Sequence, residues 1–149
     1  MIPPYYEQVA GLLIGEKNRE RGAQDVYDFS SWRPDAVIVN LGTNDMNASA
    51  HTQEGLLRES IRAFLRMVRK DNPKAEVIWA YGLHGHAGEA VIRDAVETYA
   101  SETKDVHMRY LSLTDTAPDE MGSREHPGPV AHARAAREIV SVLRERIPG

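Results

Sequence analysis

The stretch Asp35-Ala-Val-Ile-Val-Asn-Leu-Gly-Thr-Asn-Asp45 decides the fold. Residues 36–41 form a short apolar run rich in β-branched side chains, with one Asn inside it. Such a run reads as a strand buried on both faces, as strands of a parallel sheet are. Pro34 cannot extend a ladder and marks where the strand begins. Gly42 breaks the strand, and Thr43-Asn44-Asp45 follows at its carboxyl end. In open α/β sheets, ligands bind beyond the carboxyl ends of the strands, so this polar cluster is placed for chemistry. A second reading stays open on spacing alone: a turn whose Asn and Asp serve its backbone geometry.

Outward from that strand, strands and helices alternate. Leu57, Ile61, Phe64, Leu65 and Val68 recur at helical spacing, after Thr52 as N-cap and before Pro73. Residues 75–81 form a second strand, and Ile92, Ala95, Val96 and Tyr99 mark the next helix, over 89–103. Residues 106–113 form a third strand. Pro129 opens a last helix, to about residue 146, with Ala133, Ala136, Val140, Leu143 and Ile147 inward. Upstream, residues 4–13 are expected to form a short helix and Gly15 to Gly22 a charged loop. Residues 26–29 are ambiguous, extended at most, and Trp32 is expected to pack. The alternation predicts an α/β fold, a three-layer α/β/α sandwich with a parallel sheet and right-handed crossovers. Every strand-to-helix loop then lies at one edge. Residues 42–52, 82–88 and 114–128 converge there, bringing Asn44, Asp45, His84, His86, Ser123, Glu125 and His126.

At 149 residues, 42% hydrophobic and 27% charged, the chain reads as one domain, residues 1–149, with a real core. A net charge of −4 argues against nucleic acid as partner. With no Cys there is no thiol nucleophile and no Cys-metal site. No apolar run reaches membrane-spanning length, and the first residues lack the basic region and apolar core of a signal peptide. The compartment stays open.

His126, in Gly122-Ser-Arg-Glu-His-Pro-Gly-Pro-Val-Ala-His132, stands just ahead of the last helix. A His in a strand-to-helix loop, opposite an Asn, suits a general base beside an amide donor; a surface or packing role is its ordinary alternative. His132 falls on the helix and reads as structural.

Together these clusters resemble the SGNH (GDSL-type) hydrolase superfamily. Gly42-Thr-Asn44-Asp45 after an apolar strand is similar to its third conserved block, and His126-Pro127 to its fifth. The wording of Tyr27-Asp-Phe-Ser-Ser-Trp32, of residues 34–45 and of the His126 segment resembles the acetyl-xylan esterase branch, carbohydrate esterase family two. The resemblance covers roughly residues 25–147 and implies a flavodoxin-like serine esterase that removes acetyl groups from carbohydrate, with no cofactor. It makes Asn44 the oxyanion donor, Gly42 the residue allowing close backbone approach, and His126 the base that takes the serine's proton. Asp45 is expected to hold the loop, and Ser123 stands where the family's usual Asp orients the His.

The chain departs from that family in one essential. No Gly-Asp-Ser block is present, nor the second block with its oxyanion Gly, so the domain reads as N-terminally truncated. A start called at an internal Met is one expected explanation. Ser30 and Ser31 precede the strand, and Ser49 and Ser123 sit on no strand-to-helix elbow. The chain alone is therefore expected to be weak or inactive. Two other classes remain. One is a metal-dependent hydrolase using His84, His86 and His126 with Asp45. The other is a non-catalytic carbohydrate-binding or assembly domain. Because strand 36–41 would lack its serine-bearing neighbour, the chain is expected to form a homo-oligomer through that strand's exposed edge.

Overall fold

A computed structural model of the chain describes residues 5–46 and 54–147. They fall into two compact units, residues 1–33 and 34–149.

In the first unit the expected helix over 4–13 does not form. Instead residues 7–9 run antiparallel to 25–27, with the Val9 amide on the Asp25 carbonyl at 3.0 Å and the Tyr27 amide on the Glu7 carbonyl at 2.8 Å. The extended reading of 26–29 is thus correct at its start, and Phe29 lies tilted against Tyr6 and edge-on to Tyr27. The segment read as a charged loop instead holds a short helix, α1 (Glu16–Glu20). Tyr5, Val9 and Leu12 spaced for one helical face are therefore misleading: three apolar residues do not outweigh strand pairing that satisfies the same amides. Trp32, expected to pack, is 68% exposed.

The second unit is the α/β body. Its sheet has three parallel strands in the order β1 (Ala36–Val39), β2 (Glu76–Tyr81), β3 (Met108–Ser112). Ala36 pairs with Glu76 and Val39 with Trp79; Val77 pairs with Met108 and Tyr81 with Ser112. Between the strands run α2 (Thr43–Met46), α3 (Glu54–Asp71) and α4 (Glu89–Thr103), and α5 (Pro129–Arg144) closes the order. Thr52, the expected N-cap of α3, lies outside the described residues.

β2 is the axis of the body, and all six of its residues are buried. Because side chains alternate along a strand, it serves two layers at once. Trp79 meets Phe64 of α3 edge to face, with ring centroids 6.2 Å apart, on one side. On the other, Ile78 and Ala80 join Leu113 and Ala135, with Leu83, Leu111, Ile139, Val142 and Leu143 packed around them. The sheet is thus sandwiched between α3 with α4 and α5.

The inward face of α3 is the predicted one, with Ile61, Phe64, Leu65 and Val68 buried. So is that of α4, where Val91 joins Ile92, Ala95, Val96 and Tyr99. For α5 the predicted face is rotated. Ala131 and Ala135 are buried, and Ala133, Ala136 and Val140 lie exposed. Four Ala residues spread around this helix leave its phase to the larger Ile139, Val142 and Leu143, which continue the 131–135 stripe.

At the amino edge of the sheet, Arg69 fixes the chain reversals. It bonds Asp105 through Nε (2.6 Å) and Nη2 (3.2 Å), and the carbonyls of Asn72, Ala75 and His107 at 2.8 to 3.1 Å. The opposite, carboxyl edge is left for the loops. Among the described residues no helix is long and apolar enough to cross a membrane.

Candidate active site

The parallel sheet delivers the three strand-to-helix connections to one edge, as the alternation requires. The first leaves β1 two residues earlier than the sequence suggests. Asn40 and Leu41 are no longer in the ladder, yet both stay tied to β2. Asn40 Nδ2 donates to the Ala80 carbonyl at 2.7 Å, and the Trp79 indole N–H donates to the Leu41 carbonyl at 3.2 Å. The one Asn in the apolar run thus substitutes a side chain for a ladder bond as the backbone peels away.

Gly42 makes the turn at φ +125°, a conformation that side chains rarely adopt. A Cβ there would stand 2.7 Å from Ile92 Cδ1 and 3.3 Å from Tyr81 Cε2. Glycine is therefore required by packing against α4 and β2 as well as by the turn. The expected loop then winds into the single turn α2. Asn44 is on it with its side chain exposed, and the Asp45 amide bonds the Gly42 carbonyl at 3.1 Å. That amide makes the loop's bond; the Asp45 carboxylate is exposed. Thr43 and Tyr81 share a side-chain hydrogen bond, and Tyr81 donates to the Ala87 carbonyl at 2.6 Å. Burial pushes the Tyr81 phenol up, so it stays a neutral donor. The first and second loops are thereby joined through one tyrosine.

The third connection holds His126. Residues 120–128 form a closed loop: the Gly122 amide bonds the His126 carbonyl at 2.7 Å, and the Gly128 amide bonds the Glu120 carbonyl at 2.9 Å. Gly128 is held so close that a Cβ would be 2.5 Å from the Glu120 carbonyl oxygen. The tip, Ser123–Glu125, is a 3-10 turn in which Arg124 (φ 55°) and Glu125 (φ 59°) are both left-handed. Two consecutive non-glycine residues in that region cost on the order of 1–3 kcal/mol each, a strain seen where a site over-determines its backbone.

That strain buys a specific contact. His126 Nδ1 lies 2.8 Å from the Arg124 carbonyl oxygen. A carbonyl only accepts, so Nδ1 carries the proton, and in the neutral ring Nε2 is left with its lone pair. An imidazole held in this tautomer can accept a proton at Nε2. Ser123 contributes its carbonyl, which accepts the His126 amide at 3.2 Å. It fixes the turn and does not stand in for an orienting carboxylate.

The His126 loop is tied to α5 through Arg134. Its guanidinium bonds the Glu120 carboxylate and the carbonyls of Thr114 (2.8 Å) and Asp115 (3.0 Å). Arg134 beside it holds the Glu120 carboxyl below its ordinary range.

The second loop brings His84 and His86, and they diverge. His84 stacks on His126, with ring centroids 5.2 Å apart and planes 21° apart. His86 packs over Gly82, and its Nδ1 is 2.8 Å from Glu89 Oε2. The metal alternative is not favoured. Parallel His84 and His126 rings do not converge their nitrogens, and His86 is engaged with Glu89. Among the described residues no three His, Asp or Glu side chains are grouped to hold a metal ion.

Glu89, in the first turn of α4, is the functional-looking residue that sequence reasoning passed over. Its Oε1 accepts Ser112 Oγ (2.7 Å), Arg93 Nη2 (2.6 Å) and Tyr110 Oη (3.1 Å), while Oε2 meets His86. The Ser112 hydroxyl leads these donors in bringing the Glu89 carboxyl down to about 2, against some burial. Only the i, i+4 spacing of Glu89 and Arg93 was visible as a signal. This cluster fastens the second loop to the edge of β3.

Ser30 and Ser31 donate to Asp28 at 2.6 Å each, and Ser112 is committed to Glu89. Ser49 lies outside the described residues. Among the described residues no serine hydroxyl is bonded to His126.

A model of the GDSL-like lipase/acylhydrolase family matches residues 8–134. The chain belongs to that family. Its body, with the parallel sheet between helices, is the SGNH α/β hydrolase fold, as in an acetyl xylan esterase, Est2A, from the rumen bacterium Butyrivibrio proteoclasticus. That structure is 38% identical, superposes with a TM-score of 0.90 and is matched over 97% of this chain and 45% of its own. A family two carbohydrate esterase from Cellvibrio japonicus shares the fold at 21% identity and a TM-score of 0.74, over 96% of this chain and 40% of its own. An acetylxylan esterase / glucomannan deacetylase of Cellvibrio japonicus (strain Ueda107) is 25% identical over 150 residues, 97% of this chain and 37% of that protein. The chain thus spans less than half the length of these GDSL-like relatives.

Proposed function

We propose that this chain carries the general base and one oxyanion donor of an esterase site acting on acetylated carbohydrate. The observation that carries the reading is the His126 ring, with Nδ1 committed to the Arg124 carbonyl and Nε2 free at the carboxyl edge. In this reading Nε2 takes the proton of a hydroxyl nucleophile as that oxygen attacks the acetyl carbonyl. It then returns the proton to the departing sugar oxygen. The Asn44 side-chain amide donates to the oxyanion of the tetrahedral intermediate. Gly42 places Asn44 by letting the backbone turn tightly over Tyr81 and Ile92.

In this reading no serine among the described residues serves as nucleophile, and the chain is a poor esterase by itself. Two of the three roles of an acyl-transfer site are filled, and base and oxyanion donor act only on an attacking oxygen. The similarity to acetyl xylan esterases supports acetylated carbohydrate as the substrate class.

Self-association through β1 belongs to the same proposal. Among the described residues β1 pairs with β2 and with no other strand, so its other edge has no strand partner. Ala36–Val39 carries no charge to blunt that edge, and Ile38 is 39% exposed.

The reading is tested by assaying the purified chain on an activated acetyl ester and on acetylated xylan. Turnover many orders of magnitude below that of a complete esterase site is expected, and efficient turnover abolished by His126→Ala would show that the chain holds a nucleophile of its own.

A further inference from the structure

We propose that His84 is a positioning residue for His126: its ring is the second support that fixes the plane in which Nε2 points. The inference rests on the reading of His126 as the general base and adds to it the residue that aims it.

A single hydrogen bond does not orient an exposed imidazole. The bond from Nδ1 to the Arg124 carbonyl fixes one atom, and the ring can still tilt about it. Tilting moves Nε2, the atom that must reach the proton, and misplacement of such an atom by about 1 Å costs on the order of a hundredfold in rate. A flat group laid against the ring face removes that freedom. His84 lies there, 5.2 Å away by centroid and only 21° from parallel.

His84 serves this purpose because its own backbone is fixed. The segment Gly82-Leu-His-Gly-His86 has glycines on both sides and, as sequence, reads as mobile. In the fold its flanking residues are pinned individually. Leu83 packs against the core cluster beneath α5, and its carbonyl accepts Thr116 Oγ1 at 2.5 Å. The Gly85 amide donates to Asp115 Oδ1 at 2.9 Å, and Gly85 turns at φ +87°. Asp115 and its neighbour Thr114 are in turn held by Arg134, the same side chain that grips Glu120 at the foot of the His126 loop. The two histidines therefore project from one hydrogen-bonded frame built on α5. Their stacking is set by that frame.

The test reads the tautomer of His126 directly. Long-range 1H–15N correlation spectra of the labelled chain distinguish Nδ1–H from Nε2–H imidazole. The wild-type chain is expected to hold His126 as Nδ1–H. In His84→Ala the ring is free to tilt off the Arg124 carbonyl, and the ratio of Nδ1–H to Nε2–H should fall by about fivefold as that one hydrogen bond is loosened. The His126 ring protons should also move as the neighbouring ring current disappears. His84→Phe, which restores a ring face without a polar nitrogen, should restore the Nδ1–H form. His84→Gln, with bulk but no ring, should behave like His84→Ala; it keeps the comparison informative if the smaller variant folds poorly. An unchanged His126 tautomer in a folded His84→Ala or His84→Gln chain would overturn the inference, and so would failure of His84→Phe to restore it. None of these spectra depends on ester turnover, so failure of the esterase reading is seen separately, in the acetyl-ester assay.

Discussion

His126 accepts its orientation from a residue two positions before it: Nδ1 meets the Arg124 carbonyl at 2.8 Å, and that carbonyl is aimed by a left-handed backbone at φ 55°. Strain and site are therefore one feature. Arg124→Gly removes the side chain that makes this conformation costly while keeping the carbonyl. The variant should be more stable than wild type by about 0.5–1 kcal/mol in urea titration, a gain reduced from the full strain by the extra freedom of glycine in the unfolded chain. A loss of stability would mean that Arg124 is not strained as its backbone angles imply.

Gly42 is predicted to tolerate no side chain. In Gly42→Ala the new Cβ meets Ile92 Cδ1 at 2.7 Å, and the residue keeps φ +125° at a steric cost. Both effects act on a buried position, and a loss of about 2–4 kcal/mol in urea unfolding is expected. A change under about 0.5 kcal/mol, the range of ordinary surface substitutions, would contradict the packing described.

Glu89 gives the fold an acid sensitivity with a defined sign. Its carboxyl is lowered in the folded chain from 4.5 to about 2, first by the Ser112 hydroxyl and further by Arg93, His86 and Tyr110. A depressed carboxyl contributes stability that is fully present above the unfolded value and is lost as pH falls through the folded one. Glu89→Gln should therefore destabilise at pH 7, by about 1–3 kcal/mol for loss of a charged acceptor. The gap between the two proteins should narrow from about pH 4.5 toward pH 2. A gap independent of pH over that window would contradict the assignment.

The free edge of β1 leads to an expectation about mass. Light scattering at micromolar concentration should return more than one chain, and Ile38→Lys, which places a charge on that strand, should shift the population toward the monomer. A monomer for the unaltered chain would remove self-association from the account.

Much of the body was legible in the sequence, because large apolar residues at regular spacing leave few alternatives. Ile61, Phe64, Leu65 and Val68 could face only a core, and the run Glu76–Tyr81 is too short and too apolar to be anything but a central strand. Where the side chains are small or mixed, the pattern failed. The phase of α5 was obscured by its alanines, and residues 5–33 offered three apolar positions that mimic a helix face. Asn44 and His126 were visible as residue types at the right edge of the sheet, as was Gly42 at the turn. The device that orients His126 was not visible, because nothing in Arg124-Glu125 announces a left-handed backbone. The His84 stack and the Glu89 cluster were hidden for another reason: each joins segments that become neighbours only once the sheet has formed.

We propose that this chain supplies base and oxyanion donor without a nucleophile. Loss of the nucleophile from such a site leaves on the order of 10³–10⁴ over water, against about 10⁹–10¹⁰ for a complete one. The most direct measurement is intact-mass analysis after treatment with a fluorophosphonate, which a serine activated by a general base captures with loss of fluoride. The account predicts an unlabelled chain. Stoichiometric labelling of one serine, lost together with acetyl-ester turnover in His126→Ala, would contradict it.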